Sequence, residues 1–166
     1  MKAALYPNFQ KPNALVCARK VCDVLESAGI EVSVSELFRN DFSDKPFVHF
    51  EDISISAHTA DFVLAIGGDG TILRCAKFLM GTDTKLLGIN TGTLGFMAGL
   101  EADQLDKLKL LAEEKYEISE RMTLDIAYHG EGCDIVRSAL NEVSARSSSF
   151  SICDFEVHSY DYLVGK

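Results

Sequence analysis

The feature that most constrains this chain is a nearly continuous apolar run, Asp61-Phe62-Val63-Leu64-Ala65-Ile66, that passes without a spacer into Gly67-Gly68-Asp69-Gly70. An apolar run without alternation predicts a strand covered on both faces, which is the habit of parallel sheets. Three glycines in four positions permit backbone approaches that a Cβ would block. A helix is predicted over Thr71 to Met80, with Ile72, Leu73, Ala76 and Leu79 on its apolar side. Its unpaired amides and the positive end of its dipole point back into the loop. Strand, glycine loop and helix in this order predict a phosphate site, placed where open parallel sheets hold their ligands, beyond the carboxyl ends of the strands.

The flanking sequence supports the same architecture. Lys2 to Tyr6 reads as a strand, Pro12 to Ala28 as a helix that Gly29 ends in a left-handed turn, and Ile30 to Val34 as a second strand. That is a βαβ unit. Phe38 to His58 reads mostly as loop with short elements, Lys85 to Ile89 as another buried strand, Asn90 to Gly99 as a second glycine-rich loop, and Asp103 to Lys115 as an amphipathic helix turning Leu105, Leu108, Leu111 and Ala112 inward. After Glu117 the helical patterns cease, and Thr123 to Tyr128, Val136 to Ala145 and Ile152 to Val164 read as strands. The expected organisation is an α/β nucleotide-binding domain of Rossmann-like or phosphofructokinase-like type over residues 1–118. The incomplete start of an all-β domain is expected over 119–166.

Asp69 carries the most information. A carboxylate inside an anion-binding loop repels phosphate and needs a reason to be there. It can hold Mg²⁺ that bridges phosphates, or accept the proton of an attacking hydroxyl; both belong to phosphoryl transfer. It can also simply cap the following helix. Arg74, one turn further on, can reach a phosphate or stand in solvent. Phe96 can simply fill the core.

A net charge of -9 argues against a general nucleic-acid binder but leaves a small phosphorylated ligand open. Five cysteines, odd in number and without a CxxC pair, predict reduced buried thiols rather than a disulfide frame or zinc site. The four histidines show no ligand-like pairing. The amino terminus has no signal-peptide pattern and no apolar run reaches membrane-spanning length, so a cytoplasmic protein without membrane partners is expected.

Gly-Gly-Asp-Gly-Thr is shared by several kinase groups, and the second loop separates them. Gly88-Ile89-Asn90-Thr91-Gly92-Thr93-Leu94-Gly95-Phe96-Met97 resembles the NAD kinase pattern G-x-N-x-G-x-L-G-F-L, where a lipid kinase would carry something like G-T-G-N-D. Asn141-Glu142 resembles the Asn-Glu pair that follows in that family. The resemblance implies ATP-dependent transfer of a phosphoryl group to the 2′-hydroxyl of the adenosine ribose of NAD, giving NADP. It implies Asp69 as base and Gly67, Gly68, Gly70, Thr71, Arg74, Asn90, Gly92, Leu94, Phe96, Asn141 and Glu142 as nucleotide contacts. Mg²⁺ would come with the phosphates, with Asp69 as its one candidate protein ligand, and the full-length form would be a homo-oligomer. The family's later T-P-T-G-S-T-A-Y segment has no counterpart here. Two alternatives follow: a nucleotide-binding or oligomerisation fragment without catalysis, and a lipid kinase relative.

Overall fold

A computed structural model describes residues 1–11, 13–92, 95–130, 133–144, 154, 156–159 and 162–165. The chain divides into two compact units, Met1–Arg121 and Met122–Lys166.

The first unit is built on six parallel strands: β1 (Lys2–Pro7), β2 (Glu31–Val34), β3 (Val48–Phe50), β4 (Phe62–Gly67), β5 (Lys85–Asn90) and β6 (Leu100–Glu101). Their order across the sheet is β3-β2-β1-β4-β5-β6, and every pairing is parallel. All six residues of β4 are buried, as an apolar strand at the centre of a two-faced sheet must be. Phe62, Leu64 and Ile66 join one core with helix α1 (Ala14–Ser27), while Val63 and Ala65 join a second core on the opposite face. That second core is covered by α2 (Ile53–Thr59) and α3 (Asp69–Leu79), through Ala57, Ile72, Cys75 and Leu79.

Helix α1 ends as its sequence predicts: Gly29 takes a φ of 71°, and the Ile30 amide bonds back to the Leu25 carbonyl at 3.0 Å. Pro12 lies outside the described residues.

Three expectations are corrected. The stretch from Phe38 to His58 is not mostly loop: it holds the end of a 3₁₀ turn over Glu36–Phe42, edge strand β3 and nearly all of α2. Helix α2 has the period-two sequence Ile53-Ser54-Ile55-Ser56, yet it is helical because Asp52 caps it, accepting from the Ser54 amide at 2.8 Å. The helix expected over Asp103 to Lys115 is instead a 3₁₀ turn, Leu105–Leu108, followed by the single turn α4 (Lys109–Ala112). Leu105, Leu108 and Leu111 are buried as expected, but Ala112 is exposed because the chain turns out at Glu114, whose φ is 54°.

In the second unit, β7 (Thr123–Gly130) and β8 (Cys133–Leu140) form an antiparallel hairpin in register from Thr123 opposite Leu140 to Gly130 opposite Cys133. Strands β9 (Val157–Ser159) and β10 (Tyr162–Gly165) form a second antiparallel pair. β8 ends at Leu140, short of the predicted Ala145, because Asn141 takes a φ of 83° that no strand accommodates.

Candidate active site

The site grows from the carboxyl ends of β4 and β5. β4 hands the chain to Gly68, which caps α3 in extended conformation with φ -110° and ψ -174°. Thr71 is the first amide of this helix to find an acceptor, the Gly68 carbonyl at 2.8 Å. Among the described residues, the amides of Gly68, Asp69 and Gly70 bond to no acceptor, so three donors at a helix start face the loop. Gly67 lies so close to Thr71 that a Cβ would overlap its Oγ1. Around Gly68 and Gly70, by contrast, a Cβ would meet nothing within 4 Å.

Asp69 is the first residue of α3, a turn edge earlier than the sequence suggests, and it does not cap that helix. Its carboxylate reaches across to the second loop, where Oδ2 accepts from the Phe96 amide at 3.1 Å and Oδ1 from the Met97 amide at 3.2 Å. A carboxylate held by two N–H groups is a charge-assisted contact, stronger than a neutral one. Gly95 makes the approach possible, since a Cβ there would stand 2.9 Å from Asp69 Oδ1.

Asn90, only 2 % exposed at the end of β5, organises the other side of that loop. Its Oδ1 accepts from the Gly92 amide at 3.1 Å, and its Nδ2 donates to Glu101 Oε2 at 2.9 Å, tying the loop to β6. The Thr91 amide donates to the Gly67 carbonyl at 3.1 Å, so the two loops are also joined through backbone. Next door, the Asn8 amide donates to the Ile66 carbonyl at 2.9 Å, and its Nδ2 lies 3.4 Å from Thr71 Oγ1.

The structure therefore gathers Gly67, Gly68, Asp69, Gly70, Thr71, Asn90, Gly92 and the Phe96 backbone around one point. Arg74 is exposed one turn along α3. The Phe96 side chain is 88 % exposed, which removes the core-packing reading. Asn141 and Glu142 are exposed residues of the second unit; Glu142 follows the strand rather than lying in it. Leu94 lies outside the described residues. Sequence reasoning missed Asn8 and Glu101. A polar residue directly after the first strand of a parallel sheet was a usable signal for Asn8, whereas nothing local marks Glu101.

Cys17, Cys22 and Cys75 are free and buried. Burial pushes the Cys22 and Cys75 thiols up to about 12, so neither is a nucleophile at neutral pH.

Fold and site together define a parallel α/β domain with a phosphate-type glycine loop clasped to a second loop by an aspartate. Residues 4–116 match the family model for the ATP-NAD kinase N-terminal domain. The chain belongs to the NAD kinase family, and the lipid kinase alternative is set aside. It is 36% identical over 158 residues to the NAD kinase of Corynebacterium diphtheriae, covering 90% of this chain and 50% of that protein. It is 33% identical over 152 residues to the NAD kinase of Christiangramia forsetii, covering 87% and 52%. The NAD kinase of Pyrococcus furiosus is 36% identical over 146 residues, with 87% and 50% covered. The chain thus spans about half the length of the curated relatives it matches. Among solved structures, yeast NADH kinase complexed with NADH shares the fold with a TM-score of 0.73 at 17% identity, covering 84% of this chain and 46% of that one.

Proposed function

We propose that this chain carries the phosphoryl-transfer loop of an NAD kinase, which uses ATP to phosphorylate the 2′-hydroxyl of the adenosine ribose of NAD and yields NADP. The observation that carries the reading is Asp69, a carboxylate set among three unbonded loop amides and clasped to the second family loop. Phosphate oxygens of the donor accept from the amides of Gly68, Asp69 and Gly70. The ribose oxygen attacks the γ-phosphorus as the bond to the β–γ bridging oxygen breaks. The electron pair leaves with ADP, and the hydroxyl proton passes to Asp69. A carboxylate offers about four lone-pair sites; the Phe96 and Met97 amides occupy two, so Asp69 can take the proton without releasing the clasp. Transfer of this kind is catalysed mostly by positioning and charge stabilisation.

Among the described residues no group of three His, Cys, Asp or Glu side chains is arranged to hold a metal. The donor set at the loop suits Mg²⁺ carried by the phosphates, with the Asp69 carboxylate as its candidate protein ligand, and bound there Mg²⁺ would neutralise phosphate charge. By resemblance, Asn141, Glu142, Leu94 and Phe96 contact the dinucleotide. The same reading takes residues 1–118 as the nucleotide domain and the intact protein as a homo-oligomer. A cytoplasmic setting agrees with three buried free thiols. No helix among the described residues is long and apolar enough to cross a membrane.

The test supplies this chain with NAD and Mg²⁺-ATP and measures NADP. Turnover that Asp69→Asn abolishes supports the reading. NAD binding without turnover would make these residues a nucleotide-binding portion whose catalysis requires residues beyond them. An Asp69→Asn variant at near wild-type rate would sink the base and metal-ligand roles together.

A further inference from the structure

By resemblance Asn90 is a nucleotide contact, yet it is buried, and its side chain serves the protein itself. Oδ1 accepts from the Gly92 amide, and Nδ2 donates to Glu101 Oε2. The same side chain lies against the limb that Asp69 clasps. A Cβ on Gly95 would stand 2.9 Å from Asp69 Oδ1 and 3.7 Å from Asn90 Cγ, so the loop passes close to both side chains at that residue.

An Asn side chain has an acceptor end and a donor end of nearly the same shape. Packing alone does not choose which end meets Gly92; Glu101 does. A carboxylate accepts, so it takes the NH₂ end and leaves the oxygen for the Gly92 amide. With the group turned round, Nδ2 would face the Gly92 N–H, donor against donor, and Oδ1 would face the carboxylate.

Glu101 is well placed to hold this choice. On the parallel β5–β6 pair it lies in register with Asn90. Its amide donates to Gln104 Oε1 at 3.3 Å, and its carbonyl accepts from the Gln104 amide at 3.0 Å. Its backbone is therefore fixed by a turn whose next residue, Leu105, is buried. Glu101 is half-buried, and among the described residues it takes part in no ion pair. A surface salt bridge does not account for it.

We infer that Glu101 is a positioning residue for phosphoryl transfer. By setting the orientation of Asn90 it fixes both limbs of the second loop, Gly92 on one side and Gly95 to Met97 on the other. It thereby holds the Asp69 carboxylate where the acceptor hydroxyl arrives, acting through Asn90 and not on the reacting atoms. This rests on the NAD kinase reading above.

The test compares Glu101→Leu, Glu101→Gln and Asn90→Leu in the intact protein, by NADP formation and by hydrogen exchange. Leu keeps the bulk and loses the acceptor, whereas Gln keeps an oxygen that accepts from Asn90 Nδ2. Glu101→Leu is expected to lower kcat about tenfold or more, as small misplacements of reacting groups do, with KM for NAD and for ATP within about threefold of wild type. Exchange of the Gly92, Phe96 and Met97 amides should quicken by a similar factor. Glu101→Gln should return both quantities to within about threefold of wild type, because the hydrogen bond is kept. Adding Glu101→Leu to Asn90→Leu should cost less than about twofold more, because the two residues act as one unit. Unchanged kcat in Glu101→Leu overturns the inference, as does a loss confined to KM, which would make Glu101 a substrate contact. A Glu101→Gln variant as slow as Glu101→Leu overturns it too, and so does a full further loss in the Asn90→Leu background. If the wild-type protein forms no NADP from NAD, the acceptor chemistry alone fails. Faster exchange in Glu101→Leu but not in Glu101→Gln then still upholds the tie, and equal exchange in all three proteins removes it.

Discussion

The two glycine-rich loops at the site look alike in sequence and are held by different means. The first, Gly67 to Gly70, runs from a fully buried strand into α3, so its backbone is dictated at both ends by core elements. The second, Thr91 to Gly99, has no helix behind it. Beside the backbone bonds at its two ends, from the Thr91 amide to Gly67 and from the Gly99 amide to Gly88, it is held by side chains: Asn90 at the end of β5 and Asp69 from the other loop. A residue that the sequence reads as a base, a metal ligand or a helix cap is thus also the tie that shapes the neighbouring loop. Substituting it tests two things at once.

The largest expected effect follows directly. Asp69→Asn should lower NADP formation by roughly 10²–10⁴-fold, the range for loss of a positioned general base. The substitution also sets an NH₂ group against one of the two N–H donors from Phe96 and Met97. Hydrogen exchange should then accelerate at those two amides while α3 stays protected. Equal protection in both proteins would show that the second loop does not depend on Asp69.

The glycines sharpen the contrast next. Gly67→Ala and Gly95→Ala crowd Thr71 and Asp69 respectively, and each should cost about 1–3 kcal/mol of stability in denaturant titrations, as overpacking does. Gly68→Ala meets no atom of the protein, and Gly70→Ala lies in the first turn of α3. Both should leave stability unchanged or raise it by up to about 1 kcal/mol, yet still depress turnover if phosphate lies against those amides. Full activity in Gly68→Ala would remove the phosphate from that position.

The buried thiols give a pH prediction. Burial raises Cys22 and Cys75 from 9.0 to about 12, so between those values the folded chain binds more protons than the unfolded one. Their stability contribution is complete below pH 9 and is lost as pH rises towards 12, with a slope of about 1.4 kcal/mol per pH unit per fully differing thiol. Alkaline unfolding of Cys22→Ala and Cys75→Ala variants should show a shallower slope than wild type. The smallest effect is an expected null. Cys75 in α3 should resist a thiol reagent at pH 8 equally in wild type and Asp69→Asn, since loosening the second loop leaves the helix behind the first in place.

The parallel sheet and its two-sided core were legible because they rest on local pattern. Phe62 to Ile66 has no polar face, and Leu15 to Leu25 repeats at helical spacing. The family assignment was legible because its motifs are contiguous. The short pieces were not. α2 alternates like a strand and becomes a helix through one capping aspartate and two residues buried on the sheet. The Leu105 helix shortens to a 3₁₀ turn carrying Leu105 and Leu108 and one α turn carrying Leu111, which together suffice to seat the three leucines.

What the sequence by itself determined is the α/β architecture, the position of a phosphate-type loop after β4, and membership in the NAD kinase family. Tertiary structure alone decided how that loop is used. Asp69 meets the amides of Phe96 and Met97 across 27 and 28 residues of chain. Asn90 meets Glu101, and Asn8 meets Thr71 across 63. Contacts between residues far apart in the chain leave no periodic trace in it. They exist only once parallel strands have brought their carboxyl ends to one edge, where side chains from separate loops can close on a common point.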